Sequence, residues 1–248
     1  MDYANYLLLF GAGIVAGFIN VNAGGGSSLT LPTLILMGLS GPMANGTNRI
    51  GIIVQTFSAV VSFRREKFSQ FKISLKLALF ALPGAIAGAL ISVRIGDEWF
   101  RRILGIIMIG IVISMIFSSK KDNKKKSISH KKQWLIYPAM FGIGFYGGFI
   151  QAGVGFLLMA ALYHLLHENL IRVNMHKVFI VFIYMLPALA IFIITGNIHW
   201  GYGIILAGGM AVGGWFGAKL AVKGGEKVIR VVLIMAILIM AAKLLNIF

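Results

Sequence analysis

Cysteine is absent from this 248-residue chain, and acidic residues number only seven. The first absence removes disulfides, thiolate metal sites and thiol chemistry, and says little about compartment for a chain that sits mostly in lipid. The second absence is more telling. Asp2, Glu66, Asp97, Glu98, Asp122, Glu168 and Glu226 all stand at termini or at joints between apolar stretches. Carboxylates inside a membrane are the usual cation ligands and proton relays, so the lack of them argues against cation transport and against carboxylate-based hydrolysis. No convincing nucleophile or acid/base pair remains, and an enzyme is not expected. His164, His167, His176 and His199 lack the three or four neighbouring ligands of a stable metal site, so neither a metal nor another cofactor is expected.

What is present is apolar. Hydrophobic residues make up 58% of the chain and the mean hydropathy is +0.89, with stretches of membrane length separated by short polar joints. The composition predicts an all-α polytopic membrane protein. A β-barrel would need alternating strands, whereas a run such as Val231 to Ala242 is apolar on every face. The net charge of +16 does not point to nucleic acid. Its densest run, from Lys120 to Lys132, lies between apolar blocks and reads as a cytoplasmic loop under the positive-inside rule.

The chain is a duplication. Phe10-Gly11-x-Gly13-x-x-x-Gly17-Phe18-Ile19-Asn20 returns as Phe141-Gly142-x-Gly144-x-x-x-Gly148-Phe149-Ile150-Gln151. A shift of about 130 residues also overlays Gly84 and Gly88 on Gly213 and Gly217, Arg101 on Arg230, and Asn48-Arg49 on His176-Lys177. Residues 1–119 form a first membrane repeat, 120–133 the basic cytoplasmic linker, and 134–248 a second repeat. Each half reads as five apolar segments: 4–20, 27–39, 46–63, 73–95 and 99–118, then 134–151, 156–167, 175–195, 201–222 and 226–247. The second of each is too short to span about 30 Å of hydrocarbon alone, so each half carries a glycine-broken or re-entrant element. An odd number of crossings per half predicts inverted repeats, and the basic joints favour that over two parallel halves, apart from the three arginines between Arg94 and Arg102.

An unwound backbone at membrane depth survives only where something satisfies it, and matching breaks in two halves point to a substrate site. After the first motif come Gly24, Gly25, Gly26, Ser27 and Ser28; after the second, Gly153 and Gly155. Helices starting beyond these glycines would turn N–H groups and positive dipole ends toward a small anion. Asn20 and Gln151 add an amide at equivalent points, and Thr47, Asn48, Gln55 and Tyr184 add polar groups from the third segments. Arg49, His176 and Lys177 open those segments as vestibule cations, with snorkelling to the interface an equally physical reading for Arg49 and Lys177. The spaced pairs Gly13/Gly17, Gly84/Gly88, Gly144/Gly148 and Gly213/Gly217 read instead as helix-packing contacts.

The run Ala23-Gly24-Gly25-Gly26-Ser27-Ser28-Leu29-Thr30-Leu31-Pro32, followed by Ala44-Asn45-Gly46-Thr47-Asn48 and Pro83-Gly84-Ala85-Ile86-Ala87-Gly88-Ala89, resembles the sulfite exporter TauE/SafE family of membrane permeases. The likeness covers nearly the whole chain. It implies a multi-pass protein of a prokaryotic plasma or inner membrane that moves sulfite, organosulfonates or related small anions. The expected partners are that anion and the bilayer.

Overall fold

The computed structural model describes residues 3–117, 134–166 and 168–244. The basic linker, His167 and the chain ends lie outside the described residues. These are helical, in the order α1 Tyr3–Asn22, α2 Ser27–Leu36, α3 Gly41–Arg65, α4 Phe71–Ser92, α5 Asp97–Phe117, α6 Ile136–Phe149, α7 Val154–Leu166, α8 Leu170–Ile194 and α9 Trp200–Leu244. Four of them carry windows long and apolar enough to cross a bilayer: Asn5–Asn22, Phe71–Ser92, Leu170–Ile194 and Trp200–Gly225. Gly225 breaks α9 with a left-handed φ of 65°, so five segments in the first half face five in the second. The 10-residue α2 and 13-residue α7 rise only about 15 and 20 Å, as the short second segments require.

Two helix starts differ from the sequence expectation, and the difference matters for the site. The third segments begin at Gly41 and Leu170, about five residues before the expected 46 and 175. Ser40 enters α3 in an extended conformation with Pro42 in the first turn, and the Asn169 side chain accepts from the Arg172 N–H to cap α8. Residues 47–49 and 174–177 therefore lie at least a full turn inside helices. Shifted by 129 residues, α3 overlays α8 end to end, Gly41 on Leu170 and Arg65 on Ile194. That register sets Asn48 level with Lys177, one residue from the pairing of Arg49 with Lys177 in the sequence motif.

The halves interlock. α1 and α3 pack on α9, while α6 and α8 pack on α4. Glycine makes these approaches close: a Cβ on Gly13 or Gly17 would meet the backbone of Leu206 or Met210, and one on Gly144 or Gly148 that of Ala81 or Ala85. Gly84, Gly88 and Gly213 stand equally close to carbonyls of Phe141, Phe145 and Ile14. The packing role expected for these glycines is thus their observed role. Between the halves, α3 and α8 run antiparallel, for Gly46 and Arg49 meet Phe192 whereas Phe57 meets Phe182.

Candidate functional site

The helix stops after Asn22 and again after Phe149, and the two interruptions touch. A Cβ on Gly24 would collide with the backbone of Gly155, and one on Gly155 with that of Gly24. Gly24 and Gly153 take left-handed φ values of 85° and 70°, where glycine has no side chain to strain. Gln151 takes φ 63° without that excuse, a conformation that costs of order 1 kcal/mol and persists where surroundings enforce it. Those surroundings include the Tyr146 hydroxyl, which donates to the carbonyl of Ala152. Among the described residues, the N–H groups of Gly25, Gly26 and Ser27 at the start of α2 have no backbone acceptor.

Where the breaks meet, a cavity of about 10 Å³ is lined by Asn20, Gln55, Thr56, Gln151, Gly155 and Lys177, with Val154, Val178 and Val181. That is room for about one water. Two side-chain pairs frame it at equivalent places in the halves. The Asn20 amide donates to Gln55 Oε1 at 2.6 Å, and the Tyr184 hydroxyl donates to Gln151 Oε1 at 3.1 Å. Of the residues singled out from sequence, the fold brings Asn20, Gln55, Gln151, Gly155 and Lys177 onto one cavity, with Tyr184 one hydrogen bond behind. Gly25 packs under the Phe156 ring, and Gly26 against Ala16 and Asn20.

Ser27, Ser28 and Asn48 are buried beside the first break without lining the cavity, and each keeps an unpartnered polar atom: both serine hydroxyls and Asn48 Nδ2. Asn48 Oδ1 accepts from the Thr30 hydroxyl at 2.6 Å. Gln55 Nε2 is likewise buried without a partner. Thr47 does not line the cavity, and its hydroxyl accepts the N–H of His199 at 2.9 Å.

The three vestibule residues are not in a vestibule, and Arg49 and Lys177 do not snorkel. Arg49 and His176 are 0% exposed and Lys177 2%, because the earlier helix starts carry them inward. The Arg49 guanidinium lies over the Phe192 ring and donates to the carbonyls of Gly147 and Gly148 at 3.4 and 2.5 Å. It closes the negative C-terminal end of α6. The Lys177 ammonium donates to the Val21 carbonyl at 2.6 Å and to Asn174 Oδ1 at 2.9 Å. His176 Nδ1 shares a 2.7 Å hydrogen bond with the Ser74 hydroxyl.

Asn45 and Asn174 escaped the sequence reading. Asn45 Nδ2 reaches the Phe149 carbonyl at 2.8 Å and Ser92 Oγ at 2.9 Å, so it too closes the end of α6. The 129-residue shift lays one asparagine on the other, a signal present in the chain.

A run of glycine at two touching breaks, each between helices of a duplicated apolar chain, matches a known pattern. The family model described as "Sulfite exporter TauE/SafE" matches residues 9–244. The chain belongs to that family. It is 28% identical over 239 residues to a "Probable membrane transporter protein" of Haemophilus influenzae, covering 96% of this chain and 93% of that one. It is 29% identical over 241 residues to the "Probable membrane transporter protein YfcA" of Escherichia coli, covering 96% and 88%. The "Probable membrane transporter protein YunE" of Bacillus subtilis is 25% identical over 261 residues, covering 93% and 95%. No solved structure matches the chain. Family and helices together make this TauE/SafE chain a multi-pass membrane protein.

Proposed function

We propose that this chain is a secondary carrier of small sulfur-containing oxyanions, sulfite and organosulfonates, with its site between the two breaks. One observation carries the reading. Among the described residues no carboxylate lines the cavity between the breaks, and donors or hydroxyls outnumber acceptors among the buried polar atoms without partners: Ser27 Oγ, Ser28 Oγ, Asn48 Nδ2, Gln55 Nε2, Asn174 Nδ2 and Arg49 Nε against Asn22 Oδ1 and Asn45 Oδ1. Buried donors left unmet cost about 1–3 kcal/mol each, and an oxyanion supplies the acceptors that would repay it. The family's description agrees with that substrate chemistry.

Alternating access suits the architecture. A cavity with room for about one water needs movement of one half against the other to admit an anion, and the antiparallel course of α3 and α8 supports inverted halves related about the breaks. Pro83 in α4 and Pro187 in α8 supply natural bending points. The test is purified protein in liposomes loaded with sulfite or methanesulfonate. Exchange of labelled anion against its unlabelled form, without unitary currents, is the expected result. No movement of either anion under any imposed ion gradient overturns the reading; unitary currents without counterflow would make it a channel.

A further inference from the structure

We propose that Lys177 is the charge partner of the transported anion and that the site therefore selects singly charged anions; this rests on the carrier reading above. Five observations converge. Lys177 is buried and lines the cavity between the breaks. No carboxylate neutralises it, for the ion pairs among the described residues are Arg101 with Asp97, Arg102 with Glu98 and Arg172 with Glu168, all one turn apart near helix ends. Its ammonium has three N–H donors, and Val21 and Asn174 occupy two. Gln55, on the same cavity and fully buried, holds an Nε2 with nothing to donate to. Finally, the overlay of α3 on α8 gives Lys177 the place that Asn48, with its own unpartnered amide, holds in the first half.

The second buried cation does not compete for this role. Arg49 lies outside the cavity lining, stacked on Phe192 and bound to the carbonyls of Gly147 and Gly148. The cavity thus offers one positive charge and several neutral amides. A monoanion accepting from Lys177 and Gln55 balances the single cation on the cavity lining. A dianion leaves one negative charge stripped of water with no second cation on the cavity lining to meet it, since Arg49 is held by the carbonyls of Gly147 and Gly148. A sulfonate, a carboxylate or the singly protonated form of sulfite meets the requirement; sulfate does not.

Methanesulfonate, always singly charged, and sulfate, doubly charged at neutral pH, separate the cases. Binding of each to the purified full chain is read by calorimetry and by the shift in melting temperature. The unmodified chain should bind methanesulfonate saturably and sulfate at least about tenfold more weakly. Lys177→Gln should lower methanesulfonate affinity by at least about tenfold, and Lys177→Arg should restore most of it. A purely structural lysine would lower the melting temperature of the unliganded protein and leave the preference between the two anions unchanged. Equal binding of both anions by the unmodified chain overturns the proposal even where Lys177→Gln fails to insert, as does wild-type methanesulfonate affinity in Lys177→Gln. In either case the carrier reading stands if liposomes still exchange anion. If they exchange none, that reading fails first.

Discussion

The two breaks perform the same architectural task with different chemistry. In the first half, α1 continues through Asn20 to Asn22, and then Ala23 and three consecutive glycines make the turn into α2, which opens on two serines. In the second half, α6 stops at the motif's Phe149, and the turn is forced through Gln151 and Gly153 in left-handed conformations. The first break is rich in unpartnered hydroxyl and amide donors, and Lys177 of α8 reaches it from the second half by donating to the Val21 carbonyl in the last turn of α1. The halves share one plan but set different polar groups on it, amide donors from the first half and a lysine from the second, which meet at one cavity.

The largest effects are expected where the breaks touch. Gly24→Ala and Gly155→Ala each push a Cβ into the other break's backbone, and Gly24 adds a left-handed φ. Each should cost about 1–3 kcal/mol in stability and abolish transport. Gly11→Ala, with nothing near its added Cβ in the middle of α1, should be neutral or up to about 1 kcal/mol stabilising. Thermal unfolding in detergent with parallel anion exchange checks all three. Tolerance of alanine at both contact glycines would separate the breaks and dissolve the comparison.

The framing pairs give the next largest effects, and they should be unequal. Asn20→Ala removes the donor to Gln55, leaving a buried glutamine already short of one partner with none. A loss of about tenfold or more in exchange rate follows. Tyr184→Phe removes only the hydroxyl that holds Gln151, and a loss of about threefold is expected, because Gln151 is also fixed by its own backbone turn. Initial exchange rates at matched membrane insertion measure both. A greater loss from Tyr184→Phe would move the donor-rich side to the second half.

Much of this site was legible because the chain states its plan twice. Asn20 and Gln151 are equivalent in the motif, and Gln55 and Tyr184 lie where a helix beside the break must present them, so all four could be named before their contacts were known. The cations were misplaced for a local reason. Gly41-Pro42 and the Arg172-containing start of α8 resemble joints, yet both are capped first turns, so Arg49, His176 and Lys177 looked peripheral when they are buried. Hydropathy alone does not reveal whether a lysine one turn beyond a polar joint faces lipid, headgroup or a cavity; only the packing of α8 against α1 and α3 decides it.

Those capped first turns provide the smallest and sharpest contrast between the halves. α8 is capped from within by Asn169, whereas Ser40 makes no side-chain cap for α3, and the Gly41 N–H instead donates to Asp97 of α5 at 2.6 Å. That hydrogen bond, with the Arg101 guanidinium second to it, holds the Asp97 carboxyl below the usual carboxylate range. A carboxyl whose folded pKa is depressed stabilises above its unfolded pKa and loses that contribution as pH falls through the folded value. Asp97→Asn should therefore cost about 0.5 kcal/mol near neutrality, modest because the carboxylate is half exposed and screened, and nothing once acid has protonated the parent residue. Asn169→Ala should cost about 1 kcal/mol at every pH, since no titrating group caps α8. Melting temperatures of the two variants followed from neutral into acid should converge on the parent's for Asp97→Asn alone; parallel curves would mean that a charged cap from α5 does not hold the start of α3.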